Sequence, residues 1–227
     1  MRPASSYFSE SDRKRINESV RAAEATTSAE IVPVVVTVSG RYDRAEDIIG
    51  LWLGILLMIA TSVLWPPTPV STESGSWDAD PSFSQALKLI LVMLFGFVLG
   101  AILGSRIGWL RRLFAPSRQM TDEVRESAHS IYFDQRIHHT QTGSGLLIYV
   151  SLFERIAVIL ADQTVLQAVG QSTLDELCKS LTEKLRQSGP TEALCQTIHA
   201  ASEKLRDSMP NAASNRNELP DSLVVID

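Results

Sequence analysis

The sequence predicts an α/β protein in which a small mixed sheet, covered by helices, is interrupted by a transmembrane helical hairpin. Two long apolar segments lie near the middle of the chain, and β-branched apolar runs occur both before and after them. Segments with helical periodicity flank these runs. Because a sheet must bury its apolar faces against other elements, we expect strands from both sides of the apolar pair to form one helix-covered sheet.

The composition excludes several classes of protein. Hydrophobic residues make up 44% of the 227 positions and charged residues 21%, which argues against a largely disordered chain. The formal net charge of −5 provides no broad basic excess to neutralise phosphates. We therefore expect no nucleic-acid partner.

The N-terminal segment is expected to form a helix followed by a strand. Ser9 to Asp12 has the composition of a helix start, and an apolar face then recurs every three to four residues, at Ile16, Val20 and Ala23. Residues 30–38, EIVPVVVTV, are β-branched and almost wholly apolar, which is typical of a buried strand. Pro33 requires an edge position or a bulge, because proline has no N–H for the ladder.

Two segments are long and apolar enough to be membrane spans. Residues 48–65 carry no charge, and residues 86–104 carry one lysine near their start. A transmembrane helix needs about 20 mostly apolar residues. Residues 66–85 between them are polar and contain four prolines and a glycine, which predicts an extended loop.

Charge distribution predicts the orientation of this hairpin. The loop has acidic residues but no arginine, whereas arginines lie on the opposite flanks of both spans, at Arg41, Arg44, Arg106, Arg111, Arg112 and Arg118. Cytoplasmic flanks of spans carry the excess of basic residues. We expect a multi-pass protein of the cell (inner) membrane, with both termini in the cytoplasm and loop 66–85 outside.

Glycines recur at intervals of four in both spans, at Gly50 and Gly54 and at Gly96, Gly100 and Gly104. This spacing lets a second helix backbone approach closely. The hairpin could use it to pack on itself or on a second copy of the chain, which would give a homo-oligomer. Glycine is also common in membrane helices generally, so the spacing leaves these alternatives open.

The C-terminal part supplies the elements that the first strand needs. The pattern predicts two strands joined by a short turn, which favours an antiparallel hairpin, and three helices around them. We expect helices over about 121–139, 173–186 and 192–207 and strands over 146–151 and 155–161.

These elements suggest one domain divided by the hairpin. Residues 1–46 would form its first part and residues 106–209 its second, with the transmembrane hairpin over residues 47–105. Residues 210–227 are expected to be a polar C-terminal tail that ends in a short apolar run.

The order of elements resembles the TPM domain, a family named for a thylakoid lumen protein, a photosystem II-associated protein and a modulator of levamisole receptors. The resemblance rests on TTSAEIVPVVV at residues 26–36 and on TGSGLLIYVSLFERIAVILAD at residues 142–162. NELPD at residues 217–221 is similar to bacterial membrane proteins of this family that carry paired spans inside the domain. The similarity covers about residues 9–40 and 120–209.

The resemblance implies an α/β sandwich and a limited choice of activities. Some TPM domains are acid phosphatases, some bind divalent ions such as Ca²⁺ or Mg²⁺ through acidic loop residues, and many have no assigned activity. In members with those activities the last strand leads into a glycine-rich acidic loop. Here Asp162 is followed by residues 163–170, which have little glycine. Fewer backbone amides could then approach a phosphate, which argues against a phosphatase.

Four acidic residues are candidate metal ligands. Asp162 ends a predicted strand, Asp175 and Glu176 follow near a helix start, and Glu30 matches the family's acid at that place. Ca²⁺ requires several oxygen ligands. Alternatively, Asp175 and Glu176 complement the helix dipole, and Glu30 pairs with an arginine or a backbone amide.

The sequence thus leads to two functional hypotheses. The first is a membrane protein that displays a TPM-like domain at the cytoplasmic face and binds a membrane or cytoplasmic protein without catalysis. The second is a weak metal-dependent phosphatase that uses Asp162 and its neighbours. No GxSxG elbow or Walker motif identifies a nucleophile or a phosphate loop, so the first hypothesis is favoured.

Overall fold

A computed structural model describes residues 2–66, 81–140, 143–211 and 219–227. The described chain divides into two compact units. One is Arg41–Pro116, and the other combines Arg2–Gly40 with Ser117–Asp227. The second unit contains a four-stranded mixed sheet with helices, so the predicted α/β class is confirmed.

Helices and strands in the sheet-containing unit come from both sides of residues 41–116. The helices are α1 (Glu10–Glu24), α5 (Ser117–Asp134), α6 (Gln163–Val169), α7 (Gln171–Gln187) and α8 (Pro190–Arg206). The strands are β1 (Glu30–Val36), β2 (Gly145–Ser151), β3 (Ile156–Ala161) and β4 (Val224–Ile226). Short 3-10 turns occur at Ala4–Tyr7 and Ile137–His139.

The strand order is β3-β2-β1-β4. Strand β1 is parallel to both β2 and β4, whereas β3 is antiparallel to β2. The register places Glu30 opposite Gly145 and Val36 opposite Ser151. The expected pairing of the first strand with a β2–β3 hairpin is therefore confirmed.

Alternate residues of β1 contribute to two apolar cores on opposite faces of the sheet. Ile31 and Val35 pack with buried residues of α1, α7 and α8. Val32 and Val34 pack with buried residues of α5. This continuous burial is the expected behaviour of a parallel strand with both faces covered.

Pro33 occupies an open stretch of an otherwise internal strand. Strand β4 pairs only with Val34 to Val36. The N–H of Ile31 points away from β2, towards the side chain of Glu24, and alternation directs the nitrogen of Pro33 to the same side. The missing N–H therefore falls where no strand of the described residues pairs with β1, and the expected edge position is met locally.

Three elements differ from the sequence prediction. Residues 163–169 form helix α6, where no helix is expected from the sequence, and α5 spans Ser117–Asp134 rather than about residues 121–139. The expected tail 210–227 ends in strand β4, although the sequence predicts only a short apolar run there. Loop residues 67–80, Thr142 and the segment 212–218, including the start of the NELPD motif, lie outside the described residues.

The other unit contains helices α2 (Asp43–Leu64), α3 (Pro81–Arg106) and α4 (Gly108–Phe114). Helices α2 and α3 are long and apolar enough to cross a membrane. Their outward side chains are largely exposed apolar residues, among them Leu56, Ile59, Leu94, Phe95 and Val98.

The glycine pattern lies in the contact between α2 and α3. A Cβ on Gly100 would lie 2.7 Å from the Cα of Gly50, and one on Gly96 would lie 2.7 Å from the Cα of Gly54. Gly104 faces Glu46 and Ile49 with more room. The structure thus uses the spacing to pack the hairpin on itself.

Candidate functional site

Glu30 and Asp162 lie at the end of the sheet where β1 and β2 begin and β3 ends, on either side of Gly145. Glu30 pairs with Gly145 across β1 and β2. Asp162 follows β3, and its N–H donates to the Gly145 carbonyl at 2.9 Å. Both side chains face α5 by strand alternation. Two of the four candidate ligands therefore lie at the same end of the sheet. Their backbones are separated by about two strand spacings, roughly 10 Å.

The side chain of Asp162 is held by two donors of the protein. The Tyr132 hydroxyl donates to Oδ1 at 2.6 Å, and the Gly145 N–H donates to Oδ2 at 3.2 Å. Burial raises the pKa of Tyr132, and its contact with Asp162 raises it further. Tyr132 therefore remains a neutral donor, and Asp162 links α5 to the ends of β2 and β3.

The other two candidates lie on the opposite side of the sheet. Helix α7 packs into the core formed with α1 and α8. Asp175 accepts a hydrogen bond from Gln171 at 2.8 Å, and Glu176 lies 3.9 Å from Lys204. The structure does not bring these carboxylates to Asp162. Within the described ranges, no group of three or more His, Cys, Asp or Glu residues could hold a metal ion.

A different set of carboxyl groups meets beside β1. Glu24 accepts a hydrogen bond from the Ile31 N–H at 2.8 Å, and Asp221 lies 3.3 Å from the Nε of Arg21. Burial raises the pKa of Glu24 to about 8; the Ile31 N–H opposes this rise, whereas Glu30 and Asp221 add to it. Sequence reasoning missed this cluster because Asp221 lies far along the chain, in the presumed tail.

Glu154 forms a second polar cluster, at the other end of β1. It is only 2% exposed. Its Oε1 accepts from the N–H groups of Ser39 and Gly40, at 2.9 and 3.3 Å, and its Oε2 accepts from the Ser151 hydroxyl. The carboxylate thus fixes the chain just after β1 to the turn between β2 and β3.

A groove over α8, between α1 and α7, opens on the surface of the sheet-containing unit. Its volume is about 690 Å³. The small side chains of Ala22, Ala23, Cys195 and Ala200 line it, together with polar and charged groups that include Lys184, Glu203 and Arg206. No sequence motif identifies this groove; the available signal is a set of small residues on α1 and α8.

Comparisons with known proteins are informative about the fold. No protein-family model and no curated protein matches the sequence. The structure is similar to the NMR structure of the BA42 protein from the psychrophilic bacterium Bizionia argentinensis. The TM-score is 0.54 at 15% sequence identity, and the match covers 96% of this chain and 94% of the other. At this identity the similarity concerns the fold, and the TPM resemblance stays a prediction.

Proposed function

We propose that this chain is an integral membrane protein that displays a TPM-like domain at the cytoplasmic face of the inner membrane. The domain binds a membrane or cytoplasmic protein partner and performs no catalysis. The observation that carries this proposal is the pairing of β1 with β2 over seven residues, from Glu30–Gly145 to Val36–Ser151.

That pairing constrains the topology of the hairpin. Strand β1 precedes α2 and strand β2 follows α3, yet both belong to one sheet. If α2 and α3 cross a membrane, the chain must enter it before α2 and leave it after α3 on the same side, since a sheet cannot form across a bilayer. The arginines that flank the two helices then favour the cytoplasmic side.

The binding role is supported by the groove over α8. Grooves between helices commonly accept a helix of a partner. Small groove-lining residues such as Ala22 and Ala200 allow close approach, and Lys184 and Arg206 favour a partner helix with acidic residues. Asp162, by contrast, has both oxygens occupied by internal donors, which favours a structural role over a catalytic one.

Labelling of single cysteines tests the topology. A cysteine placed within residues 66–85, in a chain whose native cysteines are replaced, should react with an impermeant reagent in intact cells. A cysteine at the exposed Gln167 of α6 should react only after the cells are opened. The reverse pattern would place the domain outside.

Co-purification from native membranes tests the binding role. The variant Ala200→Trp fills the groove, whereas Gln167→Trp adds the same side chain to exposed surface on α6. The proposal expects a specific partner to be lost from Ala200→Trp and retained by Gln167→Trp. Equal recovery of the partner with both variants would show that the partner does not bind in the groove.

Phosphate release tests the absence of catalysis. The purified full chain is incubated with a generic phosphate monoester and Ca²⁺ or Mg²⁺, beside Asp162→Ala. We expect no turnover above buffer in either sample. Metal-dependent turnover that disappears in Asp162→Ala would favour the phosphatase hypothesis instead.

A further inference from the structure

Helix α4 carries an exposed apolar ridge. One residue separates it from the end of α3, and it packs against both α2 and α3. Trp109 and Leu113, one helical turn apart, are nevertheless 72% and 70% exposed. Side chains at i and i+4 lie on the same face of a helix. The packing of this unit therefore leaves a tryptophan and a leucine together on an outward face.

Arginines are frequent in the same segment of the chain. Arg106 is exposed at the end of α3, and Arg111 and Arg112 lie within α4. No acidic residue occurs between residues 81 and 121. The nearby acidic residues belong to the start of α2, where Glu46 lies against Gly104. The α3–α4 segment is thus basic. The start of α2 contributes three acids, but Arg41 and Arg44 there keep the net charge of this end of the hairpin positive.

Helix α4 lies at the level along the hairpin where a membrane surface is expected. Gly104 faces Glu46, so the apolar part of the helix pair ends at this level. Tryptophan is enriched where hydrocarbon meets headgroups, and arginine extends its guanidinium towards the phosphates there. A short helix with an apolar ridge and basic flanks is typical of an element that lies in the interface plane.

We propose that α4, together with Arg106, binds the anionic phospholipid headgroups of the leaflet that faces the sheet-containing domain. Trp109 and Leu113 insert among the upper acyl chains, while the arginines contact lipid phosphates. This inference rests on the proposed membrane crossing of α2 and α3. It adds a lipid preference that the crossing itself does not require.

The test uses the full chain with Trp109 as its only tryptophan, obtained by substituting Trp52, Trp65 and Trp77 with Phe. The protein is reconstituted in phosphatidylcholine vesicles with or without phosphatidylglycerol. Shallow brominated lipids should quench Trp109, and aqueous acrylamide should quench it weakly. Energy transfer from Trp109 should be stronger to dansyl-labelled phosphatidylglycerol than to dansyl-labelled phosphatidylcholine.

Two variants matched in charge identify the source of the preference. Arg106→Gln should lower the enrichment of the anionic probe by about fivefold, the effect of one basic residue near an anionic surface. Lys88→Gln removes one charge from the other end of α3 and should leave the enrichment unchanged. Combining Arg106→Gln with Arg111→Gln and Arg112→Gln should abolish it.

Three results would overturn the inference. One is strong quenching of Trp109 by acrylamide. Another is equal energy transfer from Trp109 to the two dansyl-labelled lipids. A third is protection of Trp109 in native membranes but not in lipid vesicles, which would indicate a protein partner on α4. Resistance of the chain to carbonate extraction is measured in parallel. If the chain is extracted, the proposed membrane crossing fails; if it is retained while Trp109 stays in water, only the lipid inference fails.

Discussion

The Tyr132 hydroxyl donates a 2.6 Å hydrogen bond to Oδ1 of Asp162, and so connects α5 to the end of β3. The second oxygen of Asp162 accepts the N–H of Gly145, the first residue of β2. One carboxylate therefore joins a helix and two strands. An acid that looks like a ligand in the sequence has, in the fold, the contacts of a structural link.

Removing the Tyr132 hydroxyl should destabilise the sheet-containing unit. Tyr132→Phe leaves the ring in the core and deletes one donor to a carboxylate, for an expected cost of about 1–2 kcal/mol. Urea unfolding of the full chain in detergent, followed by circular dichroism, measures the change. Tyr7→Phe, at an exposed tyrosine, is the control and should have no effect. Equal stability of both variants would show that the Tyr132 bond contributes nothing net.

The close contact of Gly100 with Gly50 should make the hairpin sensitive to a single methyl group. Alanine normally stabilises a helix relative to glycine by about 1 kcal/mol. At Gly100, however, the new Cβ would lie 2.7 Å from the Cα of Gly50. The helices must separate to accept it, so we expect Gly100→Ala to destabilise the pair by about 1–3 kcal/mol.

Gly104→Ala is the matched control on the same helix. Its Cβ would first meet the Ile49 Cδ1, a mobile side-chain end, at 3.1 Å. In detergent micelles, the melting temperature of Gly100→Ala should therefore be lower than that of Gly104→Ala. If the two variants melt together, the glycines do not set the helix contact. If Gly100→Ala instead changes only the oligomeric state, the alternative of packing between two copies is favoured.

Glu24 should make the stability of the sheet-containing unit depend on pH. Its pKa is raised to about 8 in the folded chain, from 4.5 in the unfolded chain. Between about pH 4.5 and pH 8 the unfolded chain loses this proton first, so folding becomes less favourable as the pH rises. The stabilising contribution is thus complete below 4.5 and is lost by about pH 8.

Glu24→Gln keeps an acceptor for the Ile31 N–H but cannot ionise. Relative to the native chain, this variant should gain roughly 1–2 kcal/mol between about pH 5 and about pH 8, after discounting for solvent screening of a half-buried carboxyl. Urea unfolding at several pH values measures the difference. A constant difference across this range would show that Glu24 does not titrate as proposed.

The strongest patterns in the sequence predicted most of the fold. The run from Ile31 to Val36 is β-branched and apolar and forms β1 as expected, and Ser9 with Asp12 forms the capping box that begins α1. Strand β4 was missed because three residues are too few for a recognisable pattern. Its position depends on parallel pairing with Val34–Val36, far away in the sequence.

The candidate site was less predictable for a related reason. Amphipathic spacing shows which face of α7 is buried, but not which side of the sheet the helix covers. Asp175 and Glu176 were therefore grouped with Asp162, from which the sheet separates them. Glu24 and Asp221 come together only because β4 returns the C-terminal segment to β1.

Glu154 provides the sharpest test of how the chain is fixed just before the hairpin begins. Its buried carboxylate accepts the N–H groups of Ser39 and Gly40 and the hydroxyl of Ser151. In Glu154→Ala these donors lose their acceptor, at an expected cost of about 2–4 kcal/mol. Glu154→Gln keeps the amide oxygen for the two N–H groups, so its cost should be about 1 kcal/mol.

Hydrogen exchange distinguishes this local link from a general packing defect. The amides of Ser39 and Gly40 should exchange faster in Glu154→Ala than in Glu154→Gln, while amides in the centre of β2 remain protected in both at low urea. Uniform acceleration across β2 would indicate global unfolding rather than loss of the link. Unchanged exchange at Ser39 and Gly40 would contradict the role assigned to Glu154, because their acceptor would then have been elsewhere.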